Sequence, residues 1–204
     1  MKINKRKFIY LISPVRIRKT FYKDLIKVLK QKNVSFFQLR LKRESFKKKL
    51  LIGKKIQKIC KNLKVKFLVN DDVSLAKKLN ADGCHLGQKD MNIIKARKIL
   101  GNKIIGITCH NSLRLARIAL KNKADYLAFG AFNFSKTKKV RYIASINLLK
   151  KAKKMTKTPI VVIGGINSEN YKKLLLNKAN FLAISSYIWN NKKLKPIDAI
   201  KKIK

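Results

Sequence analysis

The stretch KFLVNDDVSLAKKLNADGCHLGQKD, residues 66–90, decides the fold. It opens on a short apolar run, Lys66–Val69, and turns at Asn70-Asp71-Asp72. Val73–Leu79 follows with the apolar spacing of a helix, and a second short run closes the unit at Gly83–Leu86. Two strands separated by a helix need a crossover connection, which makes them parallel. The same unit recurs on both sides. Strands are predicted at Phe8–Ser13, Val34–Leu39, Lys66–Val69, Gly83–Leu86, Ile104–Ile107, Tyr126–Phe129, Pro159–Ile163 and Phe181–Ile184. Between them, helical periodicity shows at Leu25, Val28 and Leu29, at Ile52, Ile56 and Ile59, and at Leu115, Ile118 and Ala119. It is less regular at Leu174, Leu175 and Leu176. Eight strands alternating with helices within 204 residues predict an α/β protein, a small (β/α)8 (TIM) barrel, and not an open doubly wound sheet. With no Pro/Gly/Ser linker and no low-complexity break, residues 1–204 are expected to form one barrel domain.

Composition narrows the class. Apolar residues make up 46% of the chain, enough for a core, although 52 Lys and Arg against 9 Asp and Glu leave a formal charge of +43. The lysines are spread over nearly every segment. There is no basic tail and no basic stripe interleaved with aromatics, and Lys, Asn and Ile are all favoured by AT-rich codons. The charge therefore reads as filled solvated faces, with no specific nucleic-acid partner expected. No apolar run approaches the ~20 residues that span a bilayer, so no membrane partner is expected. The N-terminal MKINKRKFIYLIS begins like a signal peptide, but its apolar run is short and no small-residue cleavage site precedes Pro14 and Arg16; it reads as the first strand. Cys60, Cys84 and Cys109 are scattered without a C-x-x-C pair, which suits reduced thiols and a cytoplasmic location.

In this fold the ends of all strands converge on the rim where active sites are built. Gln38, Arg40 and Lys42 lie at the end of the second strand, Asn70 and Asp71 at the third, and His85 to Asp90 at the fourth. Thr108 and His110 end the fifth, Gly130 to Lys138 follow the sixth, Gly164-Gly165 the seventh, and Ser185-Ser186 the eighth. Acids are scarce, yet Asp71, Asp72, Asp82 and Asp90 fall together. Asp71 and Asp90 put carboxylates on neighbouring strand ends, the hard oxygen donors that hold Mg²⁺ together with a substrate phosphate. Asp72 reads as the cap of the helix that follows. Arg40, Lys42, Thr108, Ser135, Thr137 and Lys138 form a basic, hydroxyl-rich set suited to phosphate oxygens. Gly164-Gly165 permits close backbone approach to an anion, and Ser185-Ser186 add donors where this fold habitually binds phosphate. The rim thus reads as two anion sites, one assisted by a metal and one without. Cys84 and Cys109 are expected to face the packing, away from it.

The chain resembles the thiamine-phosphate synthase family over nearly its whole length. The family's Q-x-R-x-K is here Gln38-Leu39-Arg40-Leu41-Lys42, and its N-D segment is Asn70-Asp71-Asp72. Its A-D-G-V-H-L-G-Q-x-D is Ala81 to Asp90, its G-x-S-x-H is Gly106 to His110, and its T-x-T-K loop is Ser135-Lys136-Thr137-Lys138. Its phosphate-binding turn is similar to Pro159 to Ile166. The resemblance implies a barrel enzyme, a transferase that joins hydroxymethylpyrimidine diphosphate to a thiazole phosphate in thiamine biosynthesis. It also implies Mg²⁺ as cofactor. Arg40, Lys42 and Lys138 would be catalytic, with Thr108, Ser135 and Thr137 also on the diphosphate. Gln38, Asn70 and His85 would surround the pyrimidine, Asp71 and Asp90 would hold the metal, and Gly165, Ser185 and Ser186 would hold the thiazole phosphate. The chain departs from the family at Thr108 and Ser135, which keep a hydroxyl, and at Ala131 and Phe134, where proline is common. It departs again at Asn180-Phe181, in place of Asp-Gly, and at Ser185. Two other readings stay open: a thiazole-tautomerase relative using His110, and a non-catalytic basic barrel that binds nucleic acid. The sequence leaves the oligomeric state unknown.

Overall fold

In the computed structural model, which describes residues 7–133 and 141–204, strands and helices alternate along the chain. The order is β1 (Ile9–Ile12), α1 (Phe21–Leu29), β2 (Val34–Leu39), α2 (Phe46–Asn62), β3 (Lys66–Asn70), α3 (Val73–Lys78), β4 (Gly83–Leu86), α4 (Ile93–Leu100) and β5 (Ile104–His110). It continues with α5 (Leu113–Lys121), β6 (Tyr126–Gly130), α6 (Ile146–Met155), β7 (Ile160–Ile163), α7 (Tyr171–Leu176), β8 (Phe181–Ile184), α8 (Ser186–Trp189) and α9 (Pro196–Lys201). Each strand pairs in parallel with the next, and β8 pairs with β1, so the sheet closes into a (β/α)8 barrel. All eight strands stand where the sequence predicts them. Three run further than expected, β3 to Asn70, β5 to His110 and β6 to Gly130, which carries their ends onto the rim.

Period-two alternation builds two cores. In β1, Ile9 and Leu11 pack outward with Leu25, Phe37, Phe67 and the other helix-facing residues. Tyr10 and Ile12 turn inward to join Phe36, Leu68, Tyr126, Ala128, Val161, Phe181 and Ala183. Large and small side chains alternate inside the barrel. Gly106 shows why: a Cβ there would come 1.8 Å from the Tyr126 ring, so the ring occupies the space a side chain would need. The helices begin as their sequences suggest. Ser45, Asp72, Asn92, Ser112 and Ser145 each accept a backbone N–H at the start of their helix, so Asp72 is the cap it was expected to be. Two predicted apolar positions are on the wrong face: Ile118 and Leu176 are exposed.

The structure corrects the acidic grouping. Asp82 lies at the opposite end of the barrel from the other three, because it precedes β4 while they follow β3 and β4. Its Oδ2 accepts from the Phe67 N–H at 2.9 Å, and its Oδ1 pairs with Lys66 Nζ at 2.7 Å. Asp125, before β6, does the same for the Ile105 N–H at 2.8 Å. Asn180, before β8, accepts from the Ile160 N–H at 2.9 Å. The Asn180 departure is thus a structural clamp of the same kind, remote from the catalytic rim. Asn180→Leu is expected to cost about 1–3 kcal/mol by leaving a strand N–H unpaired, while Asn180→Asp costs less. Urea unfolding of the two variants checks this; equal midpoints would remove the clamp.

Candidate active site

The C-terminal rim is organised by two tight turns. At the end of β3 the Asp72 N–H donates to the Asn70 carbonyl at 2.8 Å, and Asp71 between them sits at φ 64°. His110, at the end of β5, has φ 51°. Among the described residues, the other non-glycine residues with positive φ (Lys64, Asn80, Lys123 and Lys178) follow helix ends, where the left-handed conformation is ordinary. At a strand end it is a local strain that the surrounding bonds must hold. For Asp71 they do: its N–H donates to the His85 carbonyl at 2.8 Å, and its carboxylate pairs with Lys42 Nζ at 2.9 Å.

Asp90 folds back to meet it. Asp90 Oδ2 accepts from the Gly87 N–H at 2.7 Å, and its carboxyl shares a hydrogen bond with that of Asp71. Burial works against charge on Asp71, but the bond from Asp90 and the Lys42 ammonium hold it below the usual carboxylate range. Burial and the neighbouring Asp71 together lift Asp90 above that range. A cleft of about 170 Å³ lies against Asp71, lined also by Lys42, Lys49, Asn70 and Asp72; Asp90 does not line it. Two carboxylates close enough to share a proton are close enough to share a divalent cation, and both offer oxygen only. The residues present therefore fit Mg²⁺, with a substrate oxygen and water completing its shell. Among the described residues no group of three or more His, Cys, Asp or Glu could hold a metal without substrate.

Beside the carboxylates stands a wall of polar groups rooted in the barrel. His85 Nε2 lies 2.8 Å from Thr108 Oγ1, and its Nδ1 lies 2.9 Å from the Tyr126 hydroxyl. Tyr126 meets the Tyr10 hydroxyl at 2.8 Å, and Tyr10 accepts from Gln38 Nε2 at 2.8 Å. Burial pushes the His85 pKa down to about 4, Asp71 offsetting this in part, so the ring is neutral near pH 7. Burial raises Tyr10 and Tyr126 well above the ordinary phenol value. Gln88 Nε2 bonds the Thr108 carbonyl. Gln38, expected beside substrate, is 2% exposed and committed to Tyr10.

The remaining predicted residues that the structure describes are disposed around the same rim. Arg40 is tied by its backbone: its N–H donates to Ser13 Oγ at 2.9 Å. Ser185 Oγ donates to the Ser13 carbonyl at 3.2 Å, so buried Ser13 links the end of β8 to the end of β2. Gly164 and Gly165 have φ 107° and 58°, and a Cβ on Gly164 would meet Ala131 at 2.4 Å. Only glycine fits that first position. The Gly165 carbonyl accepts from Asn170 Nδ2 at 2.9 Å, and Ser186 opens α8. Ser135, Thr137 and Lys138 lie outside the described residues. His110 stacks on Tyr142, ring centroids 4.3 Å apart. Cys84 and Cys109 are buried in the outer core with raised thiol pKa values, as expected of packing residues. Tyr10, Ser13 and Tyr126 were not foreseen. Their one sequence signal is a polar-tipped side chain in a strand that otherwise buries apolar residues.

The family model described as thiamine monophosphate synthase matches residues 9–188. The chain belongs to that family. A thiamine-phosphate synthase of Pelagibacter ubique is 69% identical over 204 residues, covering all of this chain and 98% of the relative. Another, from Nitrosomonas eutropha, is 40% identical over 158 residues, covering 77% of this chain and 74% of that one. Among solved structures, thiamine phosphate pyrophosphorylase from Pyrococcus furiosus superposes with a TM-score of 0.86 at 30% identity, covering 98% of this chain and 94% of that chain. The Pyrococcus furiosus protein shares the fold of this chain over nearly its whole length.

Proposed function

We propose that the protein is a transferase that makes thiamine phosphate, joining 4-amino-2-methyl-5-hydroxymethylpyrimidine diphosphate to 4-methyl-5-(2-phosphoethyl)thiazole. The bond from the pyrimidine methylene to diphosphate oxygen breaks, its electrons leaving with diphosphate. The thiazole nitrogen then supplies the pair that forms the new C–N bond. Little acid–base help is needed. The protein's task is to align two reactants and to stabilise charge on the leaving group.

The observation that carries this reading is the Asp71–Asp90 pair, with Lys42 bound to Asp71. In it, Asp71 and Asp90 hold Mg²⁺. When bound, the ion neutralises charge that gathers on the departing diphosphate. Arg40, Lys42 and Thr108 bind the diphosphate oxygens, joined by Ser135, Thr137 and Lys138 on the strength of their motif. Asn70 and His85 flank the pyrimidine, with Gln38 behind them. Gly165, Ser185 and Ser186 receive the thiazole phosphate, and the Ser185–Ser13–Arg40 link keeps this corner in register with the diphosphate corner. Residues 1–204 act as one barrel domain on two small molecules, and the cytoplasm is the compartment this chemistry suits. Among the described residues no helix is long and apolar enough to cross a membrane.

The test is product formation by purified protein from the two synthetic substrates. Thiamine phosphate is expected with Mg²⁺, is expected to vanish with EDTA and to return when Mg²⁺ is restored. Folded protein that makes no product with Mg²⁺ would defeat the reading, and product undiminished by EDTA would defeat the metal assignment.

A further inference from the structure

The buried chain from Gln38 to Thr108 has a direction. Gln38 presents its amide nitrogen to Tyr10, and that nitrogen donates only. Tyr10 is 2% exposed, and its hydroxyl contacts are Gln38 and Tyr126. If Tyr126 donated to Tyr10, the Tyr10 hydrogen would have to turn onto a nitrogen with no lone pair to offer. Tyr10 therefore donates to Tyr126, and Tyr126 spends its own hydrogen on His85 Nδ1. Were both ring nitrogens protonated, the Tyr126 hydrogen would have no acceptor; the ring therefore carries a single N–H, which sits on Nε2 and points at Thr108 Oγ1. In this order every hydrogen along the chain has an acceptor, as buried polar groups require.

We propose that Tyr10 and Tyr126 are positioning residues: they hold His85 with its hydrogen on Nε2, so that Thr108 accepts from the barrel and keeps its own hydroxyl hydrogen for an anionic phosphate oxygen at the rim. Naming that oxygen as one of the substrate diphosphate rests on the synthase reading; the wiring does not. A threonine accepting from inside is a fixed donor outward. One that donated inward would present only lone pairs to an anion and repel it. The relay thus turns a side chain able to play either part into one that plays a single part.

The experiment is a long-range proton–nitrogen NMR spectrum of protein labelled with ¹⁵N-histidine. The chain has two histidines, and His85→Asn identifies the His85 signals by their loss. The unaltered protein is expected to show His85 with a protonated Nε2 and a bare Nδ1. Tyr126→Phe keeps the ring and deletes the link. It is expected to release His85 into a mixture of tautomers and to raise KM for the pyrimidine diphosphate about tenfold, the loss of one hydrogen bond to a charged group. A proton on Nδ1 in the unaltered protein would overturn the relay. So would a folded Tyr126→Phe variant whose tautomer and KM are unchanged. The spectrum needs no substrate, so the two readings fail separately. Protein with the expected tautomer and no synthase activity would refute the function and uphold the wiring. Active protein with the opposite tautomer would refute the wiring alone.

Discussion

Asp90→Ala should lower turnover by about two orders of magnitude or more at saturating Mg²⁺ and leave the barrel folded. The size follows from what the carboxylate does in the proposed reaction: it holds the charge that offsets the leaving diphosphate, and electrostatic groups of this kind are worth 10²–10³ in rate. The small effect on stability follows from two opposed terms. The variant loses the bond from the Gly87 N–H at 2.7 Å, and it also relieves the crowding of two carboxyl groups that pushes Asp90 upward. Asp90→Asn separates charge from shape, since the amide oxygen can still accept from Gly87; it should be nearly as slow as the alanine variant. The measurements are kcat over a Mg²⁺ series and the thermal midpoint. Wild-type turnover in Asp90→Ala would take this residue out of the metal site.

The second large effect is on the fold. Gly106→Ala places a methyl 1.8 Å from a ring carbon of Tyr126, in the middle of the barrel. Neither partner can yield cheaply, because Tyr126 is 3% exposed and stacks against His85 with centroids 5.6 Å apart. Overpacking of this severity should cost about 3 kcal/mol or more, at or beyond the upper end of such changes. The urea midpoint measures it. A double variant, Gly106→Ala with Tyr126→Leu, should recover part of the loss if the ring is the obstacle. No recovery would place the strain in the backbone of β5.

What the sequence makes legible here is whatever is written locally. The strands declare themselves by short apolar runs, and the Asp72 cap by its place before Val73. The rim residues declare themselves because polar side chains stand where apolar runs stop. Position in a strand also explains why Cys84 and Cys109 turn away from the rim. What stays hidden depends on partners far along the chain. Gln38 meets Tyr10 across 28 residues and Tyr10 meets Tyr126 across 116, and nothing in the spacing of these residues announces it. Asp82 misleads for a related reason. It is near Asp90 in sequence, yet a whole strand, β4, separates the two ends of the barrel they occupy. Asn180 looks like the loss of an acid near the second phosphate corner until the Ile160 N–H gives it a structural duty.

The filled interior of the barrel has a consequence for traffic. Tyr10, Phe36, Leu68, Tyr126 and Phe181 plug the axis below the rim, so among the described residues the chamber is closed beneath and approached from the rim. Two substrates must pass in through it and two products must pass out. In the proposed reaction a thiazole would not bypass a pyrimidine seated deeper against His85, and the joined product would leave ahead of anything lodged beneath it. A closed floor thereby turns a question of contacts into one of queueing: whatever binds deepest has to arrive first and depart last.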